Sequence, residues 1–361
     1  MTESNMDLFL EKLDPKTRKR FKTARETKSE VLPSASLEFN WAVGGGFPRG
    51  AITTIYGNYS SSKTALTLET IGRLQKEGKI CAFIDSEKSF KNDWAAKLGV
   101  DLDKLLLIRK ASYGAIVDEV VPLIQAGLDF LVWDSISLTL PEQFVDEKGV
   151  MNEFSKQKQI GADSRSAGVA INALHYVNDR TAIVLISQTR TDMSGMHPMQ
   201  KPTGGKAVEF GSALMVRLQA SSSEKEQIKG HVYIGDKIHE LPVGREVKLN
   251  VVKNKVGPPS RTASYMFYYD GDEIGIDNVD ELVTLGKRYG VIRASGAWVY
   301  YDAEDKRWNG QAALVKELKN DSILFKSIEN AVQTMTTGEV PDEQLGELQE
   351  SDGEGQFEAA L

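Results

Sequence analysis

Ile55-Tyr56-Gly57-Asn58-Tyr59-Ser60-Ser61-Ser62-Lys63-Thr64 carries the chain from an apolar, β-branched run, Ala51 to Tyr56, through a turn of small residues. A helix is predicted to follow over 63–76. Strand, tight turn and helix in that order let backbone N–H groups curl around an anion at the positive end of the helix dipole. Lys63 is placed to reach the β- and γ-phosphates of a nucleotide, and the Thr64 hydroxyl to hold Mg²⁺. The stretch departs from G-x-x-x-x-G-K-[ST] at one position. Ser62 stands where the second Gly belongs, adding a Cβ where the backbone bends sharply and putting loop geometry and hydrolysis rate in question. A Ser/Lys-rich turn that merely caps a helix has the same composition. The surrounding frame favours the phosphate-binding reading, with Gly57, Asn58, Tyr59, Ser60, Ser61, Ser62, Lys63 and Thr64 as its contacts.

Outward from this loop, strands and helices alternate. Strands are predicted at 51–56, 80–85, 104–108, 130–134 and 181–187, and helices at 63–76, 90–98, 113–126 and 155–178. Nearly continuous apolar strands between helical segments imply an α/β fold with a mostly parallel central sheet covered on both faces. From 213 the pattern changes to strands and turns (213–219, 231–235, 245–254, 262–269), which extend the sheet with antiparallel pairs. Helices over 279–288 and 310–335, around a strand pair near Trp298 to Tyr301 and Trp308, predict a small C-terminal α/β domain. The expected organisation is a helical N-terminal arm and linker over 1–36, a core over 37–275, the small domain over 276–337 and a tail over 338–361.

Composition bounds the setting. Hydrophobic residues make up 41% of the 361, enough for a sizeable core. The single cysteine, Cys81, excludes a disulfide scaffold and fits a reducing, cytoplasmic setting. The longest apolar runs are too short to cross a bilayer and no signal peptide precedes them, so no membrane role is expected. The net charge of −7 argues against a generally basic nucleic-acid coat. It is uneven, however. Residues 11–28 are basic, and 338–361, acidic and Gly-containing, read as disordered. Two short helices, 6–13 and 15–28, broken at Asp14-Pro15, read as an arm that docks on another surface or as a solvated tail.

Three further strand ends carry polar chemistry. Phe130 to Asp134 is an apolar strand ending in a carboxylate, and ligands bind at the carboxyl ends of strands in such sheets. Asp134 is then placed to hold the Mg²⁺ water shell. Cys81 to Asp85 leads to Glu87, the choice for the group that positions or deprotonates a nucleophile; capping of the next helix is the plainer role for Asp85 or Glu87. Trp94 on that helix offers a face to adenine or belongs to the core. Ile183 to Gln188 ends in an amide able to hydrogen-bond a γ-phosphate. Beyond it a long structureless loop, Thr189 to Thr203, runs to Gly204-Gly205-Lys206, a plausible switch element. A second loop, Glu142 to Ile160, precedes Arg165. Together with Arg190 and Lys206 these segments suit backbone contacts to DNA with little sequence readout. Solvated charged loops are the blander alternative.

The order of motifs resembles the RecA family of ATP-dependent strand-exchange recombinases, from about Phe39 to Trp298. The most specific pieces are Cys81-Ala82-Phe83-Ile84-Asp85-Ser86-Glu87, Lys97-Leu98-Gly99-Val100-Asp101, Asp134-Ser135, Thr203-Gly204-Gly205 with Phe210, and Val251-Val252-Lys253-Asn254-Lys255. The resemblance implies a RecA-like P-loop core using ATP and Mg²⁺. It implies that Glu87 activates water, Trp94 stacks on adenine and Gln188 couples the γ-phosphate to the second DNA loop. Arg165, Arg190, Gly204 and Gly205 match DNA-phosphate contacts, and Ile160 and Met193 match residues that separate base triplets. Lys253 and Lys255 match lysines that reach a neighbour's ATP, and Phe210 an aromatic linking that interface to the DNA loop. Implied partners are single-stranded DNA, homologous duplex and further copies in a helical filament, with single-strand-binding or loader proteins besides.

The departures are Ser62, Tyr59 for a usual Glu, Lys91 for an Asp near adenine and Asn172 for a DNA-contacting Arg. The first loop is longer and the 220–245 segment is expanded. They read as those of a phage-encoded or otherwise divergent member. The expected function is a DNA-dependent ATPase that pairs single strands with homologous duplex. An ATP-dependent coating protein with little hydrolysis, which Ser62 motivates, and a RecA-like ring motor are the alternatives.

Overall fold

The computed structural model describes residues 5–18, 30–145, 151–152, 162–192, 199–220, 223, 227–234, 237–271 and 273–337. Near the N-terminus, α1 (Asn5–Glu11) is followed by α2 (Pro15–Arg18). The Asp14 carboxylate caps α2, accepting from the Lys16 and Thr17 N–H groups at 3.0 Å each. The rest of the expected 15–28 helix lies outside the described residues. The segment expected as a linker is partly strand: β1 (Val31–Leu32) pairs antiparallel with β2 (Phe47–Pro48), bracketing α3 (Leu37–Val43). That close return needs Gly46, whose φ is +147° and where a Cβ would lie 2.2 Å from the Leu32 carbonyl oxygen.

The core then runs β3 (Ala51–Gly57), α4 (Lys63–Lys76), β4 (Cys81–Asp85), α5 (Asn92–Lys97), β5 (Leu105–Ile108), α6 (Tyr113–Gln125), β6 (Phe130–Asp134), α7 (Ala162–Val177) and β7 (Ala182–Asp192). It continues through β8 (Met199–Pro202), α8 (Gly205–Gly211), β9 (Leu214–Ala220), β10 (Gln227–Ile234), β11 (Lys237–Asn254), β12 (Thr262–Tyr268) and β13 (Gly275–Ile276). An eleven-stranded sheet has the order β5-β4-β6-β7-β3-β9-β11-β12-β13, with β8 on β7 and β10 on β11. The pairs from β5 to β9 are parallel. Those beyond β9 are antiparallel, as the change of pattern at 213 predicted.

Successive side chains on a strand point to opposite faces. In β6, Phe130 and Val132 join one core with Phe39, Leu66 and Leu218, while Leu131 and Trp133 join another with Tyr113 and Leu174. Both faces are covered, so the strand reads as an unbroken apolar run. Each fully buried side chain of this size contributes about 1.5–3 kcal/mol.

A third cluster, around Leu282, Val299, Trp308, Leu314 and Ile328, is built by the C-terminal elements. These are α9 (Asn278–Arg288), β14 (Arg293–Ser295), β15 (Trp298–Tyr301), β16 (Lys306–Asn309), α10 (Gln311–Asn320) and α11 (Ser322–Thr337). The expected strand pair is a three-stranded antiparallel sheet. The expected helix over 310–335 is two helices. Asp321 divides them, its carboxylate accepting from the Ile323 and Leu324 N–H groups that open α11, at 3.0 and 2.9 Å.

The cluster is joined to the core through α3. Glu281 is buried at the start of that helix, accepting from Ser36 Oγ at 2.5 Å, Leu37 N at 2.9 Å and Glu38 N at 3.3 Å. Burial pushes its carboxyl up to about 8. Arg288 makes a two-pronged pair with Glu38 at 2.9 and 2.8 Å, and its guanidinium lies 4.3 Å from the Trp41 ring centroid.

Candidate active site

Four neighbouring parallel strands, β4, β6, β7 and β3, end on the same edge of the sheet and deliver Asp85 and Glu87, Asp134, Gln188, and the 57–64 loop respectively. Register fixes the proximity. Gly57 is the cross-strand partner of Gln188, and Asp85 that of Asp134. Positions far apart along the chain, Gly57 and Gln188, therefore lie side by side without any local signal in the sequence.

The loop itself turns through two left-handed residues, Ser60 at φ 57° and Ser62 at φ 60°. Gly57 has no room for a side chain, because a Cβ there would lie 2.0 Å from the Leu218 carbonyl oxygen of β9. Lys63 opens α4 and folds back over the loop. Its Nζ donates to Asn58 O at 2.8 Å, Gly57 O at 3.2 Å and Ser61 Oγ at 3.3 Å. Burial lowers its pKa, while Asp134 and Glu87 oppose that shift. The Thr64 hydroxyl donates to Asp134 Oδ2 at 2.5 Å. Burial raises Asp134 to about 7, with Glu87 and Asp85 pushing the same way against Thr64 and Lys63. A carboxylate so disfavoured as an anion suits a position that a divalent cation would neutralise. The loop's cation and the Thr64–Asp134 pair thus fit a magnesium nucleotide.

Glu87 and Gln188 face one another: Gln188 Nε2 donates to Glu87 Oε1 at 3.4 Å. The Ser135 hydroxyl donates to the same Glu87 oxygen. On the loop side, the Tyr59 hydroxyl donates to Gln188 Oε1 at 3.2 Å. Asp85 is otherwise engaged, accepting from Ser89 N at 2.9 Å, Phe90 N at 3.4 Å and Arg109 Nε at 3.3 Å. Neither carboxylate caps the next helix: the N-terminus of α5 at Lys91 takes no side-chain hydrogen bond, and Asp85 is spent on the turn that precedes it. Trp94 lies half-buried, packed against the core.

The segment expected as a structureless loop from Thr189 to Thr203 is a strand at both ends. β7 runs on to Asp192 and pairs with β8 from Thr189↔Pro202 to Asp192↔Met199. Unbroken continuation of the Ile183 to Gln188 strand into a two-stranded ribbon satisfies backbone groups that a free loop would leave to water. Thr203 ties its base to the sheet, with its N–H donating to Ser187 Oγ at 2.9 Å and its hydroxyl meeting Ser137 Oγ at 2.5 Å. Met193 and Ile160 lie outside the described residues. The helix expected from 155 is described from Ala162. Arg165, Arg190 and Lys206 are exposed, and Gly204 and Gly205 open α8 at φ 91° and 71°.

Lys253 lies in β11, and Lys255 lies just past its end at Asn254. Both reach the C-terminal end of α8: Lys253 Nζ donates to Glu209 O, and Lys255 Nζ to Phe210 O at 3.4 Å. Cations suit the negative end of a helix. Phe210 is 71% exposed. Sequence reading gives no role to Ser135 beyond its place in Asp134-Ser135, and no signal for Ser137 or for Arg245, whose guanidinium lies over the Tyr269 ring and donates to Ser60 O at 3.4 Å.

The strand-end loop, the Thr64–Asp134 pair and the mixed parallel sheet define a P-loop nucleotide-binding protein. The family model for the RecA N-terminal domain matches residues 16–275. The chain is 33% identical over 314 residues to Protein RecA of Chlorobaculum tepidum, covering 86% of this chain and 84% of that one. It is 33% identical over 330 residues to Protein RecA of Streptococcus uberis, covering 90% and 82%. With Protein RecA of Streptococcus thermophilus the identity is 34% over 312 residues, covering 85% and 78%. The chain belongs to the RecA family, as a divergent member.

Proposed function

We propose that the protein is a DNA-dependent ATPase that assembles on single-stranded DNA and pairs it with homologous duplex. The observation that carries this reading is the continuity of β7. One strand bears Gln188 at the nucleotide edge and, two residues on, Arg190 in the ribbon with β8. Nucleotide state and DNA grip are then read by one element.

In this reading Lys63 and the backbone of 57–62 hold the phosphates, and Thr64 with Asp134 holds Mg²⁺ and its water. The bound cation supplies charge neutralisation for phosphoryl transfer. Glu87 orients and deprotonates the attacking water, steadied by Ser135. Gln188 senses the terminal phosphate. Lys253 and Lys255 complete the site of a neighbouring copy in a filament. Arg165, Arg190, Gly204, Gly205 and Lys206 contact DNA phosphates, with Ile160 and Met193 between bases. Trp94 stacks on adenine. Residues 37–275 act as the ATPase core, 1–36 as the arm, 276–337 as the small domain and 338–361 as an acidic tail. The setting is the cytoplasm.

The test is ATP turnover with and without single-stranded DNA, alongside pairing of a labelled strand with duplex. The expected result is turnover that rises with DNA and is lost, together with pairing, in Lys63→Ala. Undiminished pairing in that variant removes the reading. The left-handed Ser62 favours a second reading, an ATP-dependent coating protein with little hydrolysis. It predicts ATP-strengthened DNA binding with negligible turnover.

A further inference from the structure

Gln188 is held at both ends of its amide. Its Nε2 donates to Glu87 Oε1, and its Oε1 accepts from the Tyr59 hydroxyl. The two ends of an amide share one shape and differ only in chemistry: the oxygen accepts, and the nitrogen donates twice. An ionised carboxylate only accepts, so Glu87 selects Nε2. Oε1 must then meet a donor, and the Tyr59 hydroxyl is the side chain that supplies one. The three groups have a single self-consistent proton arrangement, running Tyr59 to Gln188 to Glu87. One Nε2 hydrogen is left without a partner among the described residues. Glu87 is anchored from its other side by Ser135.

We propose that Tyr59 is a positioning residue whose hydroxyl keeps the Gln188 amide turned with its donor toward the phosphates, so that the spare Nε2 hydrogen discriminates a nucleoside triphosphate from a diphosphate. This rests on the reading of Gln188 as the terminal-phosphate sensor. Three observations carry it. Tyr59 lies on the phosphate loop itself, two residues past Gly57, and Gly57 is the register partner of Gln188. Its side chain is 79% exposed, and its ring belongs to none of the three buried clusters, so packing does not account for its place. Its one hydrogen bond runs to the amide oxygen and not to the loop. A phenylalanine would fill the same space and leave Oε1 without its donor, so that only the 3.4 Å bond from Nε2 to Glu87 would still hold the amide in place.

The experiment measures the affinities of wild type, Tyr59→Phe and Gln188→Ala for ADP and for a non-hydrolysable ATP analogue, each with Mg²⁺, on the full chain. The readout is the ratio of the two affinities. Tyr59→Phe should cut the preference for the triphosphate about two- to tenfold, the value of one hydrogen bond. Gln188→Ala should cut it at least as far. A tyrosine that merely shapes the loop would move both nucleotides together and leave the ratio unchanged, which overturns the proposal. So does a lowered ratio in Tyr59→Phe beside an unchanged one in Gln188→Ala. A wild type that binds neither nucleotide, or shows no triphosphate preference, overturns the nucleotide-sensing reading and this proposal with it. Absence of DNA stimulation alone overturns only the DNA-dependent activity.

Discussion

Replacing Ser62 with Gly should stabilise the protein. Ser62 sits at φ 60° and ψ 21°, in the left-handed region, directly before α4. That conformation costs a residue with a Cβ about 1–2 kcal/mol. The Ser62 side chain makes no capping hydrogen bond that would offset the cost. Gly removes the strain but loosens the unfolded chain, which takes back about 0.4–1 kcal/mol. The difference is a net gain of roughly 0.5–1 kcal/mol, or a rise in melting temperature of about 1 °C for a chain of this size. Ser62→Ala is the control, because it keeps the Cβ and with it the strain. The assay compares thermal unfolding of the three proteins without nucleotide, then ATP turnover on single-stranded DNA. The glycine variant should melt above both others. Equal melting of the Gly and Ala variants, or a lower value for Gly, would refute the strain argument. If strain in this loop is also what limits hydrolysis, turnover rises in the glycine variant alone.

Glu87→Gln should bind ATP and lose about 10²- to 10⁴-fold in turnover, measured by phosphate release, since an amide cannot take a proton; turnover at the wild-type rate would reassign the base. The buried Glu281 has a native value of about 8 against an ordinary 4.5, so its contribution is fully present below about pH 4.5 and is lost as pH rises toward 8. Glu281→Gln should therefore flatten the pH dependence of the unfolding midpoint between about pH 5 and 9, an effect bounded at roughly 5 kcal/mol, and a slope equal to that of wild type would contradict the assignment. Lys253→Ala/Lys255→Ala should bind ATP yet fail to hydrolyse it on single-stranded DNA, and mixing it with Lys63→Ala should restore part of the turnover. Hydrolysis by the double-lysine variant at the wild-type rate would rule out a site shared between copies.

The parallel half of the fold was legible because burial on both faces leaves a mark that survives in one dimension. Phe130 to Trp133 is apolar at every position since alternate residues serve different cores, and four such runs between helical segments admit few other arrangements. In the antiparallel half the strands expected at 213–219 and 262–269 coincide with β9 and β12, while the extent of β11 was not legible. β11 is 18 residues long, because it pairs with β9, β10 and β12 along different parts of its length, and the alternation of its solvated end gives little to separate strand from loop. The break at Asp321 was missed for a related reason. An aspartate between two helical stretches reads equally as a surface position or as a cap, and only the backbone N–H groups of Ile323 and Leu324 decide between them.

The site divides along the same line. Residue types at strand ends can be read off in order, and Lys63, Thr64, Glu87, Asp134 and Gln188 are candidates reached that way. What joins them cannot be. Glu87 and Asp85 are two residues apart and of equal chemistry, but Asp85 spends its oxygens on Ser89, Phe90 and Arg109, which leaves Glu87 the carboxylate that meets Gln188. The sequence offered both, and sheet register chose. Tyr59 shows the limit most clearly. Its side chain departs from the family pattern, and a departure alone reads as tolerance of change in an exposed turn. Only the pairing of Gly57 with Gln188 brings the tyrosine hydroxyl to the amide, and with that contact the substitution acquires a chemical consequence. On the proposed reading, a left-handed serine and a tyrosine bonded to Gln188 give this loop its own set of contacts, and its selectivity would follow from those contacts and not from the consensus it departs from.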